Sequence, residues 1–234
     1  MDRLQEHKDP SVSRPVLSAQ TGVHPRLAGL LERHLAEDWR APLHGPSVAA
    51  FEALQACLGG RSSGLVLDSG CGTGASTTQL ARRFPDRLVI GVDKSADRLR
   101  RGGVQEFPRR AGNAVWLRAE LATFWRLALR AGWRLDRHFL LYPNPWPKPG
   151  QLQRRWHAHP VFPAILRLGG QLEMRCNWAV YAEEFAFAVN RVLGTQVRPD
   201  VLEAADALSP FERKYRASGH RLYSVSVCCA AGAV

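Results

Sequence analysis

Lysine is almost missing from this 234-residue chain: Lys8, Lys94, Lys148 and Lys214 are the only four among 32 basic side chains. The net charge of +11 therefore rests on arginine. Paired cysteine motifs are missing as well. Cys57, Cys71, Cys176, Cys228 and Cys229 form no C-x-x-C pair and no even framework, which argues against structural zinc and for a reduced, cytosolic protein. No apolar run approaches the length of a membrane span, and the opening MDRLQEHKDP is too polar for a secretion signal. Internal repeats and low-complexity tracts are lacking too. These absences leave a cytoplasmic protein with no metal and no membrane partner as the expectation.

What is present fits one sizeable core, with 45% hydrophobic and 23% charged residues. A guanidinium is a planar fork that matches phosphates and stacks on bases, so an arginine excess points toward nucleic acid. The other reading of that excess is a genome biased toward arginine codons.

Residues 1–22 read as a flexible leader rich in Pro, Ser and charge. Leu27, Leu30, Leu31 and Leu35, then Val48, Phe51, Leu54 and Leu58, recur at helical spacing and define a helical segment over 23–60. From 61 to 234 short apolar runs alternate with helical patterns. LVLD, LVIGVD, AVWLRA, HFLLYP and QLEMRC are separated by helices expected over 75–84, 95–101, 121–131 and 158–167. A long helix over 178–193, a short acidic helix and the strand RLYSVSVCC follow. Such alternation predicts an α/β domain with a mostly parallel sheet covered on both faces.

The first strand runs into LVLDSGCGTGAST. Gly70, Gly72 and Gly74 allow a tight turn and close approach to a ligand, and Asp68 stands at the strand's carboxyl end. Asp93 ends the next strand, where a carboxylate can accept two hydrogen bonds from ribose hydroxyls. A glycine-rich turn alone is shared with nicotinamide enzymes, although the spacing here departs from their usual fingerprint. The stretch D-S-G-C-G-T-G resembles motif I of class I S-adenosylmethionine-dependent methyltransferases. That resemblance implies a Rossmann-like fold with a seven-stranded sheet. It also implies that the glycine loop wraps the cofactor's amino-acid part, that Asp93 holds its ribose and that Glu120 lies near its adenine. Glu120 can equally be read as a solvated helix start.

A second loop follows the fourth strand: YPNPWPKPGQLQRRW, residues 142–156. Its prolines exclude a helix or a strand interior, so it is a stiff loop carrying an amide, an indole and cations. It resembles the P-D-P-W-x-K loop and following basic run of bacterial tRNA (guanine-N7)-methyltransferases. Pro143, Pro145, Trp146, Lys148, Arg154 and Arg155 match. Gly169, Gly170, Leu172 and Tyr181, then Phe211, Glu212 and Gly219, match two further segments of that family. The resemblance runs from about residue 62 to 227.

The resemblance implies S-adenosylmethionine as cofactor and tRNA as partner, with the chain a monomer or, alternatively, a dimer. Asn144 takes the place of the family's catalytic Asp and is expected to act there and to touch the cofactor. Lys148, Arg154 and Arg155 are expected on phosphates, and Asn177, Ser209 and Glu212 on the substrate. His157 and His159 are expected as exposed residues on the phosphate side. Asn144 and Asn177 both replace Asp, and Ser209 replaces Thr, so the site has shed two negative charges. The alternatives are a methyltransferase for another RNA or a small molecule, and a non-catalytic paralogue that binds tRNA.

Overall fold

The structure, a computed structural model, describes residues 13–203 and 207–230. Two helices, α1 (Leu27–Ala36) and α2 (Gly45–Cys57), precede the sheet. Then β1 (Leu65–Ser69), α3 (Ala75–Arg83), β2 (Leu88–Asp93), α4 (Ala96–Arg101), β3 (Arg109–Ala111), β4 (Ala114–Arg118), α5 (Leu121–Arg130) and β5 (Leu135–Leu141) follow. After two short 3-10 turns come α6 (Phe162–Arg167), β6 (Gly170–Cys176), α7 (Ala179–Leu193), β7 (Asp200–Val201), α8 (Pro210–Ala217) and β8 (Tyr223–Cys229).

The strands order as β3-β4-β2-β1-β5-β6-β8-β7. The five from β4 to β6 are parallel, while β3, β8 and β7 pair antiparallel at the two margins. Described strands therefore number eight rather than the expected seven. The two strands that no apolar run marks are short: β3 is three exposed residues and β7 is two, too brief to show any apolar alternation.

Central strands β1 and β2 are buried at every position, as parallel strands with helices on both faces must be. Their alternate residues serve separate cores. Leu65, Leu67 and Ile90 pack with α1, α2, α5 and α7 on one face, while Val66 and Val89 pack with Leu80 of α3 and Leu99 of α4 on the other. On β8 only Val225, Val227 and Cys229 are buried, with Ser226 and Cys228 exposed between them. One face of that strand is wet.

Leu27, Leu30 and Leu31 of α1 and Phe51 and Leu54 of α2 join the first core, as their helical spacing predicts. Burying each such side chain contributes about 1.5–3 kcal/mol. The expected leader is only partly described, residues 1–12 lying outside. From Ser13 on it is coil bonded to the body: Ser13 N–H donates to Ser218 Oγ at 2.8 Å and Ser18 Oγ to the Pro147 carbonyl at 2.6 Å. The helix before β8 is α8, and it is basic rather than acidic, carrying Arg213, Lys214 and Arg216.

Candidate functional site

The chain enters the sheet at β1, lays strands outward to β4 on one side, then returns to place β5 on the other. Loops on the carboxyl ends of β1 and β5 therefore diverge and leave a crevice, where open α/β sheets bind ligands. A cavity of about 410 Å³ opens there, within the range of small-molecule sites. Its glycine side is lined by Ser69, Gly70, Asp93 and Glu120, and its proline side by Tyr142, Asn144, Trp146 and Arg154.

On the glycine side the backbone turns through Gly70, Gly72 and Gly74, all at positive φ (81°, 59° and 80°). A Cβ on Gly74 would also collide with the Trp116 indole. Asp68 is fully buried, and its Oδ2 accepts the hydroxyls of Ser76 and Thr77 at 2.7 Å each. Its Oδ1 has no partner among the described residues. Burial pushes this carboxyl up to about 6. Asp93 Oδ1 accepts the Ser95 N–H at 2.8 Å, and Oδ2 accepts the Gly72 N–H at 3.0 Å beside Arg98 Nη1 at 3.4 Å. Glu120 caps α5, its two oxygens accepting the N–H groups of Ala122 and Thr123. Helix start and cavity wall are thus one residue. An unpartnered buried carboxylate oxygen, an acid at the second strand end and a glycine cradle suit a ligand with a cationic amino acid and a ribose.

On the proline side Tyr142 and Trp146 both sit at positive φ, 53° and 46°. Non-glycine residues there store strain unless their surroundings fix them. Asn144 is exposed at the rim, with one lone pair of its amide oxygen taken by the Trp146 N–H at 3.3 Å. The Arg154 guanidinium stacks 4.8 Å over the Trp146 ring. Lys148 is exposed.

Arg155 departs from expectation. Its side chain is fully buried, so it cannot reach a phosphate in this arrangement. Nε and Nη2 donate to the Trp146 carbonyl at 3.2 and 3.0 Å, while Nη1 donates to Glu184 of α7 at 2.5 Å and to Gln20 at 3.1 Å. Glu184 also accepts from Gln20 Nε2 at 2.6 Å and from the His24 N–H at 3.0 Å. His157, expected to be exposed, is buried in the same cluster with Nε2 2.9 Å from Glu184. Burial would raise the Glu184 carboxyl, but the contacts with His157 and Arg155 hold it at about 2. His157 itself is pushed down by burial, so at neutral pH a neutral imidazole donates to the carboxylate. This cluster grips the proline loop from behind through one carbonyl.

Ser209 and Glu212 also take structural positions. Ser209 Oγ caps α8 by accepting the Glu212 N–H at 3.1 Å. Glu212 is fully buried between Arg175 at 3.1 Å and Arg216 at 3.2 Å, and it accepts the Leu208 N–H. Its lone pairs are committed, so no guanine edge meets them in this arrangement. Asn177 sits past the end of β6 with Nδ2 3.1 Å from His220 Nδ1. It does not line the cavity with Asn144.

A protein-family profile described as "Putative methyltransferase" matches residues 62–225. The chain belongs to that family. A relative from Syntrophotalea carbinolica named tRNA (guanine-N(7)-)-methyltransferase is 28% identical over 78% of this chain and 81% of its own. A shorter match, 49% identical over 55 residues, joins 24% of this chain to 21% of a trans-aconitate 2-methyltransferase from Deinococcus radiodurans. Among solved structures, a variant 16S rRNA (adenine(1408)-N(1))-methyltransferase with cosubstrate SAM from Catenulisporales acidiphilia superposes with a TM-score of 0.51 at 17% identity. That superposition covers 82% of this chain and 94% of the other, and it supports the fold.

Within this methyltransferase three contributions escape sequence reasoning. Ser69 Oγ, at the cavity floor, meets His138 Nε2 at 2.8 Å and accepts Trp125 Nε1–H at 3.0 Å. Burial pushes His138 down to about 3, so it is neutral. Glu184 and Gln20 belong to the grip on the proline loop, and no local motif marks either. Tyr142 lies in a β-strand signature, and nothing in that signature reveals its positive φ.

Proposed function

We propose that this methyltransferase uses S-adenosylmethionine to methylate guanine N7 in tRNA. The observation that carries the reading is the facing of the two loops across one cavity. The cofactor-type glycine loop lies on one side, and the Asn144–Trp146–Arg154 loop, with its resemblance to the guanine-N7 family, lies on the other. The name of the Syntrophotalea relative points to the same substrate. The division of the chain belongs to the same proposal: leader to residue 22, helical segment over 23–60 and methyltransferase domain over 61–234. So do a cytoplasmic location and a monomeric form.

S-adenosylmethionine, when bound, supplies an electrophilic methyl group. Asp68 would receive its ammonium on Oδ1, Asp93 its ribose hydroxyls, and Glu120 would border its adenine. Guanine N7 carries a free lone pair, so no proton has to be removed and the protein's main work is alignment. Trp146 and Trp156 offer apolar faces to a purine, and Asn144 offers an amide at the rim. Lys148 and Arg154 are placed for phosphates. The purine becomes cationic as the bond forms, which a nearby carboxylate would stabilise. Asn144 supplies hydrogen bonding without that charge.

The test is direct. The purified chain is incubated with methyl-labelled S-adenosylmethionine and unmodified tRNA, and the labelled base is identified and mapped. Label in 7-methylguanosine supports the reading; label on another base, or no label on the tRNA, overturns it.

A further inference from the structure

Behind the cofactor cavity lies a second concavity of about 430 Å³, which the proposed chemistry does not use. The end of α1 and the coil after it, α5 and α6 form its walls. Four arginines line it, Arg40, Arg126, Arg130 and Arg167, against two carboxylates, Glu37 and Asp38. Arg40, Arg126 and Arg130 make no ion pair among the described residues. Arg126 stacks 5.0 Å over the Trp39 ring and is fixed by a 2.7 Å bond from Nη1 to the Ala41 carbonyl. A guanidinium held rigid on an indole beside other unpaired guanidiniums is a built anion site, because a bound anion would relieve the repulsion among the cations.

Its position decides the ligand. Trp39 meets His159 edge-on at 4.9 Å, and His159 meets Trp156 at 5.7 Å. His159 and Trp156 line the cofactor cavity on their other side. The two concavities share one aromatic wall, so a polyanion whose base enters the first runs its backbone past the second.

We propose that the Arg40–Arg126–Arg130 pocket seats a backbone phosphate of the RNA substrate, a contact separate from Lys148 and Arg154. The inference rests on the tRNA reading and extends it to a second anchoring point across the wall. Arg130 and Arg40 are exposed, so replacing both leaves the packing intact. Arg126 is replaced separately, since its removal also exposes Trp39.

The test measures tRNA binding by fluorescence anisotropy over a salt series for the wild type, for Arg40→Gln with Arg130→Gln, and for Arg126→Gln. S-adenosylmethionine affinity is measured alongside by calorimetry. The double variant should bind tRNA about fivefold more weakly with a shallower salt dependence, at unchanged S-adenosylmethionine affinity. Wild-type binding that persists with the same slope in the double variant overturns the pocket alone. No tRNA binding by the wild type overturns the tRNA reading and the pocket with it. A titration with guanosine 5′-monophosphate separates the remaining source of phosphate: loss of mononucleotide binding with unchanged tRNA binding makes this a nucleotide pocket and overturns the RNA assignment.

Discussion

The glycine side of the cavity keeps its carboxylates, with Asp93 and Glu120 on the lining and Asp68 buried one residue before the lining Ser69, each fixed by nearby backbone or hydroxyl donors. The proline side presents none. Asn144 stands where the resembling family has Asp, Glu212 is locked between two arginines, and Glu184 is spent on Arg155. One side supplies charge and the other supplies shape. A cofactor with a cationic amino group and a ribose needs the first. In the proposed function a base that acquires charge only as it reacts would be held by geometry, and the loop's shape depends on a buried cluster that ties its Arg155 to Glu184 and Gln20.

The sharpest way to break this contrast is to remove the cluster's charge. Glu184→Gln leaves Arg155 buried without a counter-ion and should cost about 3–5 kcal/mol of stability in urea unfolding. The pH dependence has a defined sign. With the folded carboxyl held at about 2, its contribution is present above the ordinary carboxylate range and is lost as pH falls toward that value. The variant should therefore lose stability at neutral pH and show a flatter acid limb.

On the glycine side the effects should fall on ligand binding. Asp93→Ala should weaken S-adenosylmethionine binding by about 1.5–3 kcal/mol in calorimetry, the scale for losing charge-assisted hydrogen bonds. Asp68 works in the opposite sense on stability, because its carboxyl is raised to about 6 by burial. Its contribution is complete below the unfolded value and is lost as pH climbs through about 6. Asp68→Asn should accordingly raise stability at neutral pH while lowering cofactor affinity, and a parallel loss of both would refute the assignment of Oδ1.

The smallest effect separates two neighbours. Arg154→Gln should reduce the salt dependence of tRNA binding by about one phosphate contact with little loss of stability. Arg155→Gln should chiefly destabilise the fold. Equal behaviour of the two would erase the distinction between the exposed and the buried arginine.

That pair also shows where the sequence was readable. Asp68, the glycines and Asp93 act through adjacent backbone at successive strand ends, so a local motif carries them. Helices α1, α2, α3, α5 and α7 were equally plain from their apolar spacing. Arg154 and Arg155 look alike in sequence, yet neighbouring side chains point apart, and what captures Arg155 lies 29 and 135 residues away at Glu184 and Gln20. Ser209 and Glu212 match a family segment whose resemblance implies substrate contacts. Their spacing also satisfies a helix cap, and the structure uses it so. Long-range burial decides such cases, and a motif does not encode it.

In the proposed reaction the proline side retains the shape for guanine but has given up the charge. Single-turnover methyl transfer to tRNA by the wild type and by Asn144→Asp tests this. Restoring the carboxylate should speed transfer by about tenfold or more, since one aligned electrostatic group is worth a few kcal/mol in a transition state, while tRNA affinity holds or falls slightly. A wild type that methylates guanine N7 at an ordinary rate, with Asn144→Asp slower, would contradict the account and make the amide the working group.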